Sequence, residues 1–542
     1  MRSSLLSVIG VSVAVFISAS IVQSQSSPQG QVYQSDMTLR ANTRLVVVDV
    51  VATDKEGRPV AGLKQDEFNV LEEREPQKIS NFTAHIAVPT TVAPRKLPPN
   101  VVSNNPEFQA SSLNVILFDA VNGDFQAHSY AKQELLKFLQ TAQVERPIAI
   151  FALQTQLQML HDFTTDTPAL RASVEKYKFP AEAPTTQSWE SRVSAFSTRS
   201  DFHSNDRTIR TTLNQLNVLA KVLGGYPGRK NLIWLSESFP IDLFPDVMTQ
   251  TSIGQQDLKS NQDGQTNGGP SGKSLAQNSM DFKDYAALIK KVSDELMKSQ
   301  VAVYPVDAGA LGRNDHLAAQ QTMLDIAART GGRAFVNRND LAQSMGTSLD
   351  DGSTYYTLEY YPTNKNWNGQ FRAIQVKTTR PGITLRFREG YYATDPEKNR
   401  KEEMERVAED YSRLLEVDAP AVTGILFQAG IVPPSDKNGK LVVNFAIDPH
   451  TIAFENKNGV DHAEVDCTLW AYKGNDKQKP IMAKGNVIAA AVTPEVHEKI
   501  MKTYFPCKRE LELKPGVYTL KLGVIDRKTN QMGTSTASVT VQ

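Results

Sequence analysis

Three acids stand where a folded chain could put them to chemical use. Asp119 closes the apolar run that begins at Leu113. Asp124 follows across a Gly-containing turn, and Glu237 comes just after a second apolar run, Asn231 to Leu235. Short apolar runs bounded by turn residues read as strands buried on both faces of a parallel sheet, and ligands bind beyond the carboxyl ends of such strands. Acids delivered there could act as the convergent carboxylates of a hydrolase. That chemistry also needs a nucleophile with its base, and none is recognisable. The 8 histidines are scattered, with no His-Glu-x-x-His spacing, and no Gly-x-Ser-x-Gly elbow occurs. Ser236 follows a strand, but Glu237 beside it does not suit the role of a triad base. The plainer role for Asp119 is to accept backbone N–H bonds from the turn that follows it. Gly268 to Ser274 resembles a phosphate loop one residue short, with no buried strand before it, so nucleotide binding is not expected. Arg229 and Lys230 read as caps of the helical region that precedes them.

The elements that must position these residues follow from the rest of the chain. A length of 542 residues is too great for one core and implies about three or four domains. Acids and bases balance at 59 each, which argues against a general polyanion-binding surface, and no nucleic-acid partner is expected. The N-terminus has a weak positive flank, an apolar stretch from Leu5 to Val22 and a polar Gln/Ser run. That is the layout of a secretory signal over residues 1–24, cleaved near Val22-Gln23-Ser24. The stretch approaches bilayer-spanning length, so an uncleaved anchor is the alternative. No later segment is apolar enough to span, so no stable membrane span is expected once the signal is removed. With export expected, the only two cysteines, Cys467 and Cys507, read first as a disulfide and second as two isolated thiols. The bond would stabilise its domain by roughly 4 kcal/mol in the chain-entropy model.

Residues 25–40 form a polar, mobile lead-in, and 41–87 a leader β-module rich in β-branched residues. A Pro-rich linker occupies 88–110. Strand–helix alternation over 111–340 indicates a doubly wound, mostly parallel, six-stranded α/β domain, with its sixth strand at Ala334 to Val336 and a polar insertion about 241–280. The clearest helix, Thr208 to Leu223, carries Ile209, Leu213, Leu216, Ala220 and Leu223 at helical spacing and stops at Gly224-Gly225. Strand-like segments over 354–393 could pair with the leader module, each part being too small alone. A charged spacer helix at 398–416 leads to a C-terminal β-sandwich at 420–542, marked by alternating strands and turns such as Lys514-Pro-Gly516.

The strand-ending acid, the third strand Leu157 to Phe163, expected to run antiparallel because so few residues join it to the second, and the six-strand order resemble a von Willebrand factor type A domain, a Rossmann-like fold. Pro227-Gly-Arg-Lys-Asn-Leu-Ile-Trp-Leu-Ser236, Tyr355 to Pro362 and Gly390-Tyr-Tyr392 resemble motifs of the VWFA-related family of acidobacterial type. The likeness covers roughly residues 40 to 395. It implies a metal-ion-dependent adhesion site, where Asp-x-Ser-x-Ser, a threonine and a second acid hold Mg²⁺ in six-oxygen geometry. Asp119 matches the first acid, Thr208 lies in the region of the threonine and Glu237 in that of the second acid. Val121 and Gly123 replace both serines, and Asn122 and Asp124 are the oxygen-bearing neighbours left to substitute. No cofactor is expected beyond Mg²⁺ or another divalent cation at this degenerate site.

The function expected is that of a secreted or envelope-associated, non-catalytic, adhesion-like protein whose partner is an unidentified protein ligand. A hydrolase or enzyme subunit and a structural envelope component are the alternatives. The polar loops Phe179 to Asp206 and Ile241 to Met280 are expected to rise at the same rim as Asp119.

Overall fold

The computed structural model describes residues 45–86, 97–106, 112–122, 125–142, 144–179, 199–237, 288–309, 317–394, 400–434, 439–474, 479–485 and 487–542. The expected signal (1–24), lead-in (25–40) and polar insertion (241–280), most of the loop before Asp206, and Asp124 lie outside these residues. Among the described residues no helix is long and apolar enough to cross a membrane.

The chain opens with β1 (Val46–Thr53), β2 (Phe68–Glu72), β3 (Glu75–Gln77), β4 (Ile79–His85) and the short β5 (Val101–Ser103). The α/β unit supplies β6 (Ser112–Asp119), β7 (Ile148–Leu153), β8 (Leu157–Thr164), β9 (Arg229–Ser236) and β10 (Val301–Asp307). The chain then returns through β11 (Tyr355–Tyr360), β12 (Phe371–Thr378), β13 (Thr384–Arg386) and β14 (Gly390–Tyr392). Two antiparallel sheets result, ordered β13-β1-β11-β4 and β14-β12-β2-β3. Their inward residues, among them Val48, Val50, Phe68, Tyr356, Leu358 and Ile374, form one core, so segments some 300 residues apart bury what neither could bury alone. At its edge Glu72 holds a buried network, pairing with Arg372 at 3.1 Å and accepting from the Tyr360 and Tyr391 hydroxyls at 2.8 and 3.0 Å.

The α/β sheet is ordered β10-β9-β6-β7-β8, parallel except for β8. Alternate residues of β6 feed two cores. Leu113, Val115 and Leu117 face the helix Arg199–Gly224, whereas Ile116 and Phe118 face the helices Phe125–Thr141 and Leu341–Asp351. Among the described residues the sheet has five strands, and the sixth expected at Ala334 to Val336 does not form a ladder. Only Phe335 bridges β10, its N–H donating to Pro305 O at 2.8 Å and its carbonyl accepting from Asp307 N–H at 3.0 Å. Asn337, at φ +57, then turns the chain away before a ladder can form.

Two further expectations are corrected. The Pro-rich linker contains β5, which pairs with Gln428 to Gly430 as the edge strand of a C-terminal sheet. Asn104 fixes it there, donating to Val422 O and Ile425 O and accepting from Phe427 N–H at 2.7 to 2.8 Å. The helix Arg400–Leu414 is no spacer: Val407, Tyr411 and Leu414 enter the core of the α/β unit, and Asp410 receives Lys291 at 2.7 Å and Lys221 at 3.5 Å. The C-terminal unit has two antiparallel sheets, built on β15 (Phe427–Val432) and β16 (Leu441–Ile447) and on the long strands Val460–Lys473, Gly516–Asp526 and Met532–Val541. Their inward faces share one core, across which Cys467 and Cys507 are joined as a disulfide.

Candidate functional site

Asp119 is the last residue of β6 and is 1% exposed. The chain bends immediately after it, so its Oδ1 accepts the backbone N–H groups of Val121 and Asn122, both at 2.9 Å. Oδ2 accepts from Asn122 Nδ2 at 2.9 Å, Trp234 Nε1 at 3.1 Å and Ser236 Oγ at 2.8 Å. Two of those donors come from β9, the parallel neighbour of β6, so the carboxylate ties the ends of adjacent strands together. Asn122 extends the tie by donating to Thr212 Oγ1 at 3.0 Å, and Thr212 in turn donates to Thr208 O at 3.0 Å.

The expected site residues are therefore only partly gathered. Asp119 and Asn122 meet. Thr208 contributes its carbonyl and not its hydroxyl: the helix begins at Arg199, so Thr212, one turn later on the same face, reaches the strand ends. Glu237 is 8% exposed and lies toward β10, where a Cβ on Gly309 would stand 3.6 Å from its Cγ and 2.9 Å from Asp307 Oδ1. Asp307 accepts from Gly309 N–H at 2.8 Å and from Gln320 Nε2 at 3.1 Å. Thr212, Trp234 and Asp307 had no assigned role in the sequence reading, and Ser236 was weighed there only as a nucleophile. Ser236 and Asp307 share with Asp119 the position that could have flagged them, the last residue of a buried parallel strand.

The donor set decides the chemistry. A carboxylate offers about four lone-pair positions, and five N–H and O–H groups already point at this one. A hard cation needs oxygen lone pairs facing it, not hydrogens. Val121, in the first serine position, is 7% exposed and belongs to the core. The described residues around Asp119 do not fit Mg²⁺, and among them no group of three or more His, Cys, Asp or Glu is arranged to hold a metal.

Beside this locked corner lies an aromatic stack. Phe118, His128, Tyr177 and Phe179 touch one another at centroid distances of 5.4 to 6.3 Å. Phe125, the first residue of its helix, packs edge-on against Phe179 at 6.2 Å and is 65% exposed. The Tyr177 hydroxyl accepts from Gln154 Nε2 at 3.0 Å, and burial pushes its pKa up to about 12. It stays protonated through the physiological range. Arg229 and Lys230, expected to cap the preceding helix region, instead begin β9 in the interior, at 2% and 1% exposure. Lys230 does donate back to Tyr226 O at 2.8 Å, but Arg229 reaches Gly331 O, at the end of a different helix.

No family model matches the chain, and no curated protein sequence matches it. Weak structural neighbours include a von Willebrand factor type A structure from Catenulispora acidiphila, at 10% identity and TM-score 0.23 over 67% of this chain and 77% of that one. The three N-terminal domains of the type V pili tip protein Mfa5 from Porphyromonas gingivalis align at 10% identity and TM-score 0.25, over 86% and 78% of the two chains. Proximal thread matrix protein 1 of the mussel byssus aligns over 45% of this chain at 10% identity and TM-score 0.23, and the chain spans about half of its length, 49%.

Proposed function

We propose that this is an exported, non-catalytic, adhesion-like protein of the VWFA-related kind, with a six-strand-derived type A unit and a C-terminal β-sandwich. It would bind a protein ligand at the carboxyl-end rim of its parallel sheet, without a metal ion. The observation that carries the reading is the pairing of a fully hydrogen-bonded Asp119 with an exposed Phe125 on a rigid aromatic stack. A carboxylate with every lone pair engaged is a poor general base and a poor ligand, but it holds the rim rigid. An exposed aromatic anchored from below is the kind of group that carries binding energy at protein interfaces. Signal cleavage would leave the chain in the periplasm, the envelope or outside the cell, with the uncleaved segment as the alternative anchor.

The test is affinity capture from envelope extract with three versions of the full chain: wild type, Phe125→Ser and Leu324→Ser, the last a 43%-exposed apolar control. Phe125→Ser should lose specific partners that the control retains. If all three retain the same proteins, the rim is not the binding face. Turnover of any substrate by the purified wild type, abolished by Asp119→Asn, would favour the enzyme alternative.

A further inference from the structure

In the C-terminal unit the strand Met532–Val541 pairs with Gly516–Asp526 in one unbroken antiparallel register, from Ile525↔Met532 to Gly516↔Val541. Its other side is closed only at the start. Val422 to Ile425 runs beside it there: Met532 O accepts from Ile425 N–H at 2.9 Å, and Thr534 N–H donates to Val422 O at 2.9 Å. The approach is so close that Gly533 has no room for a Cβ beside Ile425 O. The covering segment then leaves to begin β15 in the opposite sheet. From Ser535 onward no described residue pairs with this side of the strand.

In an antiparallel strand the N–H and C=O of one residue point to the same side, and the side alternates along the chain. Met532 and Thr534 point away from Gly516–Asp526, and therefore Thr536, Ser538 and Thr540 do so too. Their backbone groups have no partner among the described residues, and their side chains are exposed, while Ala537, Val539 and Val541 fill the core of the sandwich. Proteins ordinarily blunt such an edge with short length, a bulge, a proline or a charge, because an open row of backbone groups templates pairing with another chain. Other edges of this chain carry those devices. β4 and β8 each pair across a register shift, Phe505–Leu511 holds Pro506, Lys508 and Glu510, and β5 has three residues. Met532–Val541 has ten residues in regular register, with neither charge nor proline.

We propose that this edge pairs with the same edge of a second copy of the chain, antiparallel about a twofold axis through Ser538, so that two C-terminal sheets join into one. Ser538 then faces its own counterpart, and Thr536 faces the counterpart of Thr540. Every outward N–H meets an outward C=O, the self-complementary arrangement of a closed dimer, and any other register leaves some of these groups unpaired. Across such an axis a charge at Ser538 would oppose itself, and the strand carries none. On the core side Ala537 meets the counterpart of Val539, which continues the apolar layer. Edge pairing alone buries less than a standard interface, so the dimer is weak and forms reversibly with concentration.

The test is sedimentation velocity of the full chain over a wide range of concentration, in wild type and in Ser538→Lys, with circular dichroism to check that both are folded. Wild type should pass from monomer to dimer as concentration rises. Ser538→Lys sets two ammonium groups opposite each other at an exposed position and should weaken the dimer by about tenfold or more. Cysteine variants fix the register, because Cys467 and Cys507 are already bonded to each other. A hydrogen-bonded antiparallel pair brings its Cα atoms to about 5.5 Å, within disulfide reach. Ser538→Cys should cross-link to itself under mild oxidation, and Thr536→Cys only when mixed with Thr540→Cys. The proposal is overturned by a wild type that stays monomeric, by a dimer that Ser538→Lys leaves intact, or by Thr536→Cys cross-linking alone as readily as Ser538→Cys.

Discussion

Asp119 and Asp49 are both buried aspartates, placed at opposite ends of the same parallel sheet, and they are satisfied in opposite ways. Asp119 receives five donors, two of them backbone N–H groups, with no cation in contact. Asp49 receives one hydroxyl and one amide and sits among buried cations whose ionisation it influences from a distance. The first arrangement is complete within the chain, so it is rigid and chemically closed. The second sets a carboxylate near a buried ammonium whose proton is held weakly, so it is responsive to pH. A buried acid marks a working site by what it leaves unmatched, not by its burial.

The largest effect should come from breaking the closed end. Asp119→Ala removes the acceptor for five buried donors, and since each orphaned buried group costs about 1–3 kcal/mol before relaxation, a net loss on the order of 3–5 kcal/mol is expected. Chemical denaturation followed by circular dichroism measures it. The wild-type midpoint should not move between millimolar Mg²⁺ and EDTA, because no lone pair is offered to the ion. A metal-dependent rise that Asp119→Ala abolishes would restore the adhesion-site chemistry.

The next effect belongs to the open end and is read in pH. Burial pulls the Lys230 ammonium down to about 7 from 10.5, with Asp49 opposing it. The unfolded chain therefore binds the proton up to 10.5 and the folded chain only below about 7. Between these values the unfolded state binds more protons, so stability rises with pH through that window and the penalty is fully present below it. Replacing the lysine by an isosteric apolar chain, Lys230→Met, should flatten this limb and stabilise the protein near pH 7 by a few kcal/mol. Parallel pH profiles of the denaturation midpoint check the sign. Superimposable wild-type and variant profiles from pH 7 to 10 would mean that Lys230 is not strained in this way.

How much of this difference the amino acids announce depends on where each partner comes from. The acid ending Leu113–Asp119 and the apolar stripe Ile209, Leu213, Leu216 are local patterns, and the strand and helix they indicate are present. The donors to Asp119 are not local, because Trp234 and Ser236 arrive from a strand more than a hundred residues away. The edge strand Val101–Ser103 is too short to stand out in proline-rich surroundings and acquires meaning only from Gln428 to Gly430. The helix Leu341–Asp351 hides because Ser344 and Ser348 stand on its buried face, their hydroxyls returned to carbonyls four residues back. Arg229 and Lys230 look like surface residues because charge normally is. What buries them is the leader module closing over the sheet's amino end, an arrangement encoded in residues on both sides of the α/β unit.

The smallest effect is the most discriminating, because at Gln300 two terms of similar size oppose each other. Its left-handed backbone, φ +51, costs a non-glycine residue about 1–3 kcal/mol, while its partly buried amide bond to Asp49 contributes about 1 kcal/mol. Gln300→Gly relieves the first, loses the second and adds roughly 0.5–1 kcal/mol of unfolded-state entropy, so its stability should fall within about 1 kcal/mol of wild type. Gln300→Asn tolerates the same φ but is too short to reach Asp49 in the same geometry, so it should be the less stable of the two. Denaturation of both variants ranks them. Glycine costing much more than asparagine would show that the backbone is at ease there, whereas a large loss of equal size in both variants would show that the bond to Asp49 dominates. In that case the amino end would be closed in the same sense as Asp119, and the contrast between the two aspartates would shrink to the strained ammonium of Lys230.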